Sequence, residues 1–151
     1  MPVGAYGGRR EIMAHVSPSG SVYQAGTLSG NPVAMAAGIA NLTQLRDHPE
    51  IYTAINQMAE ALAQGLRQAL PGCTVNQVGS LVWPFFTPGP VTDFATARQS
   101  DTGRYAAYFK HMLSQGIYLA PAQFEAMFVS AAHTMADIQQ TIEAASRLPQ
   151  S

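Results

Sequence analysis

The sequence predicts an α/β chain whose C-terminal part is a small α+β layer domain. A polar, glycine-punctuated loop, Tyr23–Asn31, runs directly into a long apolar segment that begins at Pro32. From Glu50 onward, the patterns follow the order helix, strand, strand, helix, strand, strand, helix. We therefore expect two domains, residues 1–48 and residues 49–151, because Pro49 disfavours helix in the residue before it.

The first region is predicted to contain two helices. A short helix over Arg9–His15 is followed by a loop at Val16–Ser21, where proline and glycine interrupt any regular pattern. The second helix spans Pro32–Arg46 and is apolar nearly all round, with several alanines that permit close packing. Helices with this pattern are usually buried, so we expect the Pro32–Arg46 helix to be covered on most faces.

The second region begins with the clearest helix of the chain. Its apolar residues recur at spacings of three and four from Glu50 to Leu70, and Pro71-Gly72 ends it. Two short strands are predicted next, one at Val75 and one over Val78–Thr87, where β-branched and aromatic residues are frequent. Pro84 has no N–H for a β-ladder and therefore marks an edge or a bulge.

The remainder is predicted to be two helices separated by two short strands. A loosely helical stretch over Asp93–Gln99 precedes a helix that starts at Asp101 or Thr102 and ends before Gly116. The strands are expected at Ile117–Ala120 and Phe128–Ala131. Thr134 then caps a final helix, with Asp137 completing the capping box, and its predicted buried stripe is Met135, Ile138, Ile142, Ala145 and Leu148.

Composition excludes several classes of function. The net charge is −1 and the basic residues are scattered, so no nucleic-acid partner is expected. The chain has neither a run of about eighteen apolar residues nor a signal peptide, so we expect a cytoplasmic protein with no membrane partner. Its one cysteine, Cys73, and its four dispersed histidines suggest neither a disulfide framework nor a metal site.

Charged residues make up only 11% of the chain, against roughly 25% in ordinary soluble domains. This charge is too little for a fully solvated surface. We therefore expect another subunit, or a further part of the same polypeptide, to cover part of the chain.

The loop Tyr23–Asn31 has the composition of a phosphate-binding loop. Gly26 and Gly30 let backbone approach an oxyanion, Thr27 and Ser29 offer hydroxyl donors, and a helix N-terminus follows. The same residues also suit a plain loop-to-helix junction in which Asn31 caps the helix. The residues alone leave both interpretations open.

Three segments together resemble the glutamate-1-semialdehyde 2,1-aminomutases, a branch of the class III, fold type I pyridoxal-phosphate enzymes. These segments are Pro2–Arg9, Tyr23–Pro32 and Gly116–Ala126. Related aminotransferases usually carry Thr-Phe-Gly-Gly-Asn-Pro, whereas this chain has Thr-Leu-Ser-Gly-Asn-Pro from Thr27. The resemblance covers nearly the whole chain and implies the end of the large cofactor-binding domain followed by the small C-terminal domain.

The resemblance implies pyridoxal 5'-phosphate or pyridoxamine 5'-phosphate as cofactor and a homodimer that shares its sites. Thr27 would bind the cofactor phosphate across the dimer interface, through hydrogen bonds worth about 1.5–3 kcal/mol each, and Gly26 would leave room for it. The family's Schiff-base lysine precedes the residue that matches Pro2. We therefore expect that lysine to lie outside this chain, and the chain alone to be inactive.

The resemblance also places two residues at the substrate. Glu125 stands where related aminotransferases would use an arginine for an α-carboxylate, so its charge would repel such substrates and favour an amino-aldehyde. Ser80, in the Gly-Ser-Leu pattern, would border the same pocket. Position 125 could equally hold a surface glutamate, and position 80 a simple turn.

The predicted function is the conversion of glutamate-1-semialdehyde to 5-aminolevulinate in tetrapyrrole synthesis. One alternative is another class III aminotransferase acting on an ω-amino group, which an arginine at position 125 and a Phe-Gly-Gly loop would have favoured. The other alternative is a non-catalytic truncated fragment, or a module that binds phosphate or a partner subunit.

Overall fold

The computed structural model describes residues 4–149, which divide between Pro49 and Glu50 into two compact units. We call residues 4–49 the N-terminal unit and residues 50–149 the C-terminal unit. The start of the predicted glycine-rich segment, Met1–Val3, and the end of the predicted second domain, Gln150–Ser151, lie outside the described residues.

The N-terminal unit contains two helices. The first, α1 (Arg10–Met13), is shorter than predicted, and α2 (Pro32–Asp47) spans sixteen residues. Proline occupies the first turn of α2, and the Asn31 side-chain oxygen accepts a hydrogen bond from Ala34 N–H at 3.0 Å. Asn31 therefore satisfies one of the backbone donors that the start of a helix leaves free.

The prediction that α2 is buried on most faces is wrong for this unit. Ala34 is its one buried residue, while Val33, Ile39 and Leu42 are 61%, 67% and 66% exposed. Within residues 4–49, the only other helix is the four-residue α1, which is too short to cover sixteen residues of α2. The apolar pattern thus correctly indicates a helix, but the described unit does not supply the covering surface.

The C-terminal unit is an α+β layer in which helices pack on one three-stranded antiparallel sheet. Its strands lie in the order β1-β2-β3, with Thr74 opposite Phe85 and Leu81 opposite Phe128. In chain order the elements are α3 (Glu50–Ala69), β1 (Thr74–Val78), β2 (Leu81–Phe85), α4 (Phe94–Ala97), α5 (Thr102–Ser114), β3 (Met127–Phe128) and α6 (Met135–Ser146).

One hydrophobic core joins α3, α5, α6 and the sheet. The regular apolar spacing of α3 places its stripe in this core, as periodicity predicts. Aromatic rings contribute from α5, where Tyr105 and Tyr108 pack against Phe86 with centroid separations of 6.0 and 5.4 Å. The buried core residues include Met58, Ala59, Leu62, Ala63, Leu66, Val75, Val82, Met112, Ile138, Ala144 and Ala145.

The predicted helix starts at α5 and α6 are confirmed. The Asp101 carboxylate accepts from Arg104 N–H at 2.9 Å. At α6, Thr134 N–H donates to the Asp137 carboxylate at 2.7 Å, and Asp137 N–H donates to the Thr134 hydroxyl at 3.3 Å. Met135, predicted to be buried, is 56% exposed because it occupies the exposed first turn beside this capping box.

The predicted strand at Ile117–Ala120 is wrong. Ile117 N–H donates to the Met112 carbonyl at 2.9 Å, which is a helix-end bond rather than a ladder bond. The Ala120 carbonyl accepts from the Tyr105 hydroxyl at 2.6 Å. These backbone groups are therefore satisfied by α5, and the segment has no neighbouring strand with which to pair.

The bounds of the other strands also differ from the prediction. Val78 ends β1 rather than starting β2, because Gly79, with φ of +56°, forms the hairpin turn with Ser80. The predicted Phe128–Ala131 strand is reduced to Met127–Phe128. His133 ends it early, since its N–H donates to the Ser130 carbonyl at 3.1 Å and its Nδ1 accepts from Ser130 N–H at 3.0 Å.

Pro84 lies on an uncovered stretch of β2, as the prediction of an edge position requires. The strand β3 pairs only with Leu81 and Val82, so the second half of β2 has no strand on that side. The Pro84 carbonyl accepts from the Gln123 side chain at 2.9 Å. The N–H and C=O of one strand residue point to the same side, so the N–H that proline lacks costs no bond to β1.

Gly65 permits the close approach of α3 to α6. A Cβ at this position would overlap Cδ1 of Ile142 and approach two further atoms of that side chain. We expect Gly65→Ala to lower the free energy of unfolding by about 1–2 kcal/mol, because overpacking outweighs the gain in helix propensity. Urea unfolding of the chain measures this change.

The matched background is Ile142→Ala, which removes the overlapping atoms. In that background Gly65→Ala should raise the free energy of unfolding, because only the helix-propensity gain of up to about 1 kcal/mol remains. Equal destabilisation in both backgrounds would contradict the packing assigned to Gly65.

Candidate functional site

The loop before α2 is formed by two successive turns. Ser29 N–H donates to the Gly26 carbonyl at 3.0 Å, and Asn31 N–H donates to the Leu28 carbonyl at 3.0 Å. Gly30 has φ of +72°, a left-handed conformation that glycine adopts without steric cost. The loop backbone is therefore fixed by its own hydrogen bonds and by the Asn31 cap that follows.

Gly26 and Thr27 lie next to each other on the exposed side of this loop. A Cβ at Gly26 would stand 3.0 Å from the Ser29 hydroxyl oxygen, so a side chain there would require that hydroxyl to shift by a few tenths of an ångström. Thr27 is exposed, and no group within residues 4–149 makes a hydrogen bond with its hydroxyl or its N–H. Both donors of Thr27 are therefore available to a ligand.

A phosphate-binding loop and a plain loop-to-helix junction capped by Asn31 are compatible in the structure. Asn31 does cap α2, and it uses the Ala34 N–H, while Pro32 has no N–H to offer. The first turn of α2 therefore retains few free donors. An anion at this place would depend mainly on the loop, where Thr27 supplies a hydroxyl and an amide side by side.

A wide concave surface of about 1300 Å³ adjoins the loop, and we call it the Thr27 hollow. No aspartate or glutamate is among the residues that line it, so no carboxylate would repel a phosphate there. This lining fits the phosphate of the expected cofactor. The lining residues are Gly4, Ala5, Tyr6, Ser17, Gln24, Ala25, Gly26, Thr27, Leu28, Ser29, Gly30 and Met35.

Glu125 lies in the C-terminal unit, in the segment between α5 and β3. Its side chain is exposed, and its N–H donates to the Ala122 carbonyl at 3.2 Å. It lines a second hollow of about 400 Å³, the Glu125 hollow, whose walls come from residues 117–121 and 125–129, from α6 with Asp137, and from Leu62 and His133. The Asp137 carboxylate is already bonded to Thr134 in the capping box. A carboxylate here faces solvent from a closed turn, where it can meet a small molecule.

Tyr105 lies close enough to Glu125 to respond to its charge. Burial raises the pKa of Tyr105, and the negative charge of Glu125 raises it further, to about 12. The Tyr105 hydroxyl donates to the Ala120 carbonyl. Tyr105 therefore remains a neutral donor at physiological pH and ties the segment that carries Glu125 to α5.

Ser80 occupies the hairpin turn between β1 and β2. Its carbonyl accepts from Val129 N–H at 3.0 Å, and Val129 lines the Glu125 hollow. The structure thus connects Ser80 to the wall of that hollow through its backbone, while Ser80 itself is not among the lining residues. The geometry of Ser80 is that of the simple turn that sequence patterns also suggest.

No sequence pattern distinguishes Gln123 as a functional residue. This side chain is 4% exposed and bonds to the edge of β2 and the residue after it: its amide N–H donates to the Pro84 carbonyl at 2.9 Å, and its oxygen accepts from Phe86 N–H at 3.4 Å. Gln123 stands in an irregular segment, so no helix or strand periodicity marks it. The one available signal is Pro84, which indicates an uncovered strand edge. Such an edge needs a polar side chain to bond its free backbone groups.

Neither a metal-binding cluster nor a membrane-spanning helix is present in residues 4–149. No group of three or more histidine, cysteine, aspartate or glutamate side chains in this range could hold a metal ion. Likewise, none of the helices in this range combines the length and the apolar character that crossing a bilayer requires.

Comparison with protein families gives a match over almost the whole chain. The model of the class-III aminotransferases matches residues 1–148. The chain belongs to this family. The fold class and family resemblance predicted from the sequence are thereby confirmed.

Within the class-III aminotransferases, the chain is similar to curated glutamate-1-semialdehyde 2,1-aminomutases. The glutamate-1-semialdehyde 2,1-aminomutase of Ruminiclostridium cellulolyticum is 60% identical over 149 residues, which cover 96% of this chain and 34% of the relative. The aminomutase of Desulforamulus reducens is 62% identical over 149 residues, with the same two coverages. The chain therefore spans about a third of the length of the curated relatives it matches.

Solved structures of aminotransferases share the fold. A β-phenylalanine aminotransferase from Variovorax paradoxus is 28% identical with a TM-score of 0.72, and covers 93% of this chain and 33% of its own. A transaminase with PLP bound is 25% identical with a TM-score of 0.74, and covers 93% of this chain and 32% of its own.

The coupling between Glu125 and Tyr105 can be measured directly. We expect Glu125→Gln to lower the pKa of Tyr105 below about 12, while burial keeps it above the ordinary value of 10.0. The measurement is a pH titration of the tyrosine ring carbons by NMR, with Tyr105→Phe assigning the signal.

Glu143→Gln is the matched control, because Glu143 is an exposed glutamate on α6 whose carboxylate accepts from Gln139. It should leave the Tyr105 titration unchanged. An unchanged titration in Glu125→Gln as well would show that the Glu125 charge does not reach Tyr105.

Proposed function

We propose that this chain is part of a pyridoxal-phosphate-dependent aminomutase that converts glutamate-1-semialdehyde to 5-aminolevulinate in tetrapyrrole biosynthesis. The observation that carries the proposal is the pair of unused donors on Thr27, beside Gly26, in a chain about 60% identical to aminomutases. The same loop in a related aminotransferase usually has Phe-Gly-Gly where this chain has Leu28-Ser29-Gly30.

Thr27 and Gly26 would hold the cofactor phosphate. The Thr27 hydroxyl and N–H would donate charge-assisted hydrogen bonds, and Gly26 would leave space for the phosphate oxygens. The bound pyridoxal or pyridoxamine phosphate supplies the electron sink for moving the amino group. This chain contributes binding and orientation, and the lysine that anchors the cofactor covalently is proposed to lie outside it.

Glu125 and Ser80 would border the substrate. The exposed carboxylate of Glu125 would repel a substrate carboxylate placed at the reacting carbon, and so would favour an amino-aldehyde over an α-amino acid. The Ser80 turn would form part of the adjoining wall through its bond to Val129. An arginine at position 125 would have favoured the alternative of an ω-aminotransferase.

We also propose the organisation of the complete enzyme. Residues 1–48 would be the end of the large cofactor-binding domain, and residues 49–151 the small C-terminal domain. The exposed apolar residues of α2 support a homodimer, or a larger subunit, in which another surface covers this helix. A cytoplasmic location and the lack of a nucleic-acid or membrane partner remain predictions from composition.

A chimera tests this proposal most simply. In it, this chain replaces the matching third of the R. cellulolyticum aminomutase. We expect the chimera to form 5-aminolevulinate, and Thr27→Val to weaken its affinity for pyridoxamine phosphate by about 10- to 100-fold, because one charge-assisted bond is lost. Equilibrium titration of the cofactor absorbance measures the affinity.

Thr53→Val is the matched control, since Thr53 is an exposed threonine on α3. It should bind the cofactor as the unmodified chimera does. Normal cofactor affinity in Thr27→Val would contradict the assignment of Thr27, and a folded chimera that binds cofactor without forming 5-aminolevulinate would contradict the proposed reaction.

A further inference from the structure

The segment Gln123–Met127 is attached at both of its own ends to one edge of β2 and the residue that follows this strand. Met127 pairs with Val82 as part of β3. Four residues earlier, the Gln123 carboxamide bonds to the Pro84 carbonyl and to Phe86 N–H. Residues 82, 84 and 86 share one side of the strand, so the Gln123 side chain continues the ladder that β3 leaves unfinished.

Glu125 is the middle residue of the three that bridge these two attachments. The preceding residue, Phe124, packs edge-on against Phe94 of α4 with ring centroids 5.9 Å apart. Glu125 N–H closes a turn to the Ala122 carbonyl. The backbone at Glu125 is therefore held on both sides, although its own side chain is exposed.

Within residues 4–149, Gln123 makes the hydrogen bonds that join residues 121–126 to other elements. The nearest other hydrogen bond that anchors the chain before Glu125 is from the Tyr105 hydroxyl to the Ala120 carbonyl, which lies before Pro121 and five residues before Glu125. Removal of the buried Gln123 amide would leave the Pro84 carbonyl and Phe86 N–H without hydrogen-bond partners and shielded from water, which is energetically costly. The segment would then shift to satisfy them.

We propose that Gln123 is a positioning residue that sets substrate selectivity by holding Glu125 at the substrate. This inference rests on the proposed function of Glu125. Gln123 touches neither substrate nor cofactor in this account. It acts by fixing the backbone of residues 124–126 against β2, so that the carboxylate of Glu125 points into the Glu125 hollow rather than moving with a loose loop.

The test is a double-mutant cycle in the chimera. The measured quantity is selectivity, defined as kcat/KM for glutamate-1-semialdehyde divided by that for L-glutamate in the amino-transfer half-reaction. Glu125→Gln should lower selectivity by about tenfold or more, since a repulsive charge is lost. Gln123→Met keeps the side-chain size without its hydrogen bonds, and should lower selectivity in the same direction by several-fold.

The decisive result is the double variant. With Glu125 already neutral, adding Gln123→Met should change selectivity by less than about twofold, because the two residues act through one charge. Gln139→Met is the matched control, since Gln139 is exposed on α6, and it should leave selectivity unchanged. If Gln123→Met does not fold, Gln123→Asn replaces it, because the shorter amide cannot reach both the Pro84 carbonyl and Phe86 N–H without a shift of the segment.

Each other outcome has a distinct meaning. If Gln123→Met lowers kcat/KM equally for both substrates, Gln123 has a structural role alone. This result overturns the inference but leaves the proposed role of Glu125 intact. Additive losses in the double variant overturn it too. Unchanged selectivity in Glu125→Gln overturns the proposed function of Glu125 together with the inference.

Discussion

The C-terminal unit depends on the close packing of α3 against α6. Gly65 leaves the space that the Ile142 side chain fills, and buried alanines from both helices belong to the same core. Through the same core, α3 also packs against β1 and β2. There the Arg67 guanidinium donates to the Val75 carbonyl at 3.0 Å, so α3 contacts β1 through both its apolar stripe and a charged end.

The position of the residues proposed to border the substrate follows from this layer. Because β1 is fixed on α3, β2 is fixed by its pairing with β1, and its far edge becomes the support for the segment that carries Glu125. A short β3 and one glutamine side chain complete that edge. This arrangement leaves the Glu125 side chain exposed to small molecules while its backbone is restrained. A charge held in a fixed position discriminates better between substrates than a mobile one.

Sequence patterns predicted what is repetitive in this chain and missed what depends on single contacts. The stripe of α3 and the caps at Asp101 and Thr134 have local signals, and they were predicted correctly. The segment Ile117–Ala120 has the composition of a strand, but α5 takes its hydrogen bonds, and no local pattern reveals that. The apolar circumference of α2 would suit the proposed assembly, because residues 4–49 alone leave this helix exposed. The contacts of Gln123 can be understood only once the unpaired edge of β2 is known.

The proposed function depends above all on the Thr27 loop holding the phosphate of the cofactor. A crystal structure of the chimera with pyridoxal phosphate tests it most directly. The account predicts phosphate oxygens within about 2.7–3.0 Å of the Thr27 hydroxyl and N–H, with Gly26 in van der Waals contact. A phosphate enclosed entirely by residues from outside this chain, with Thr27 bound only to water, would contradict it.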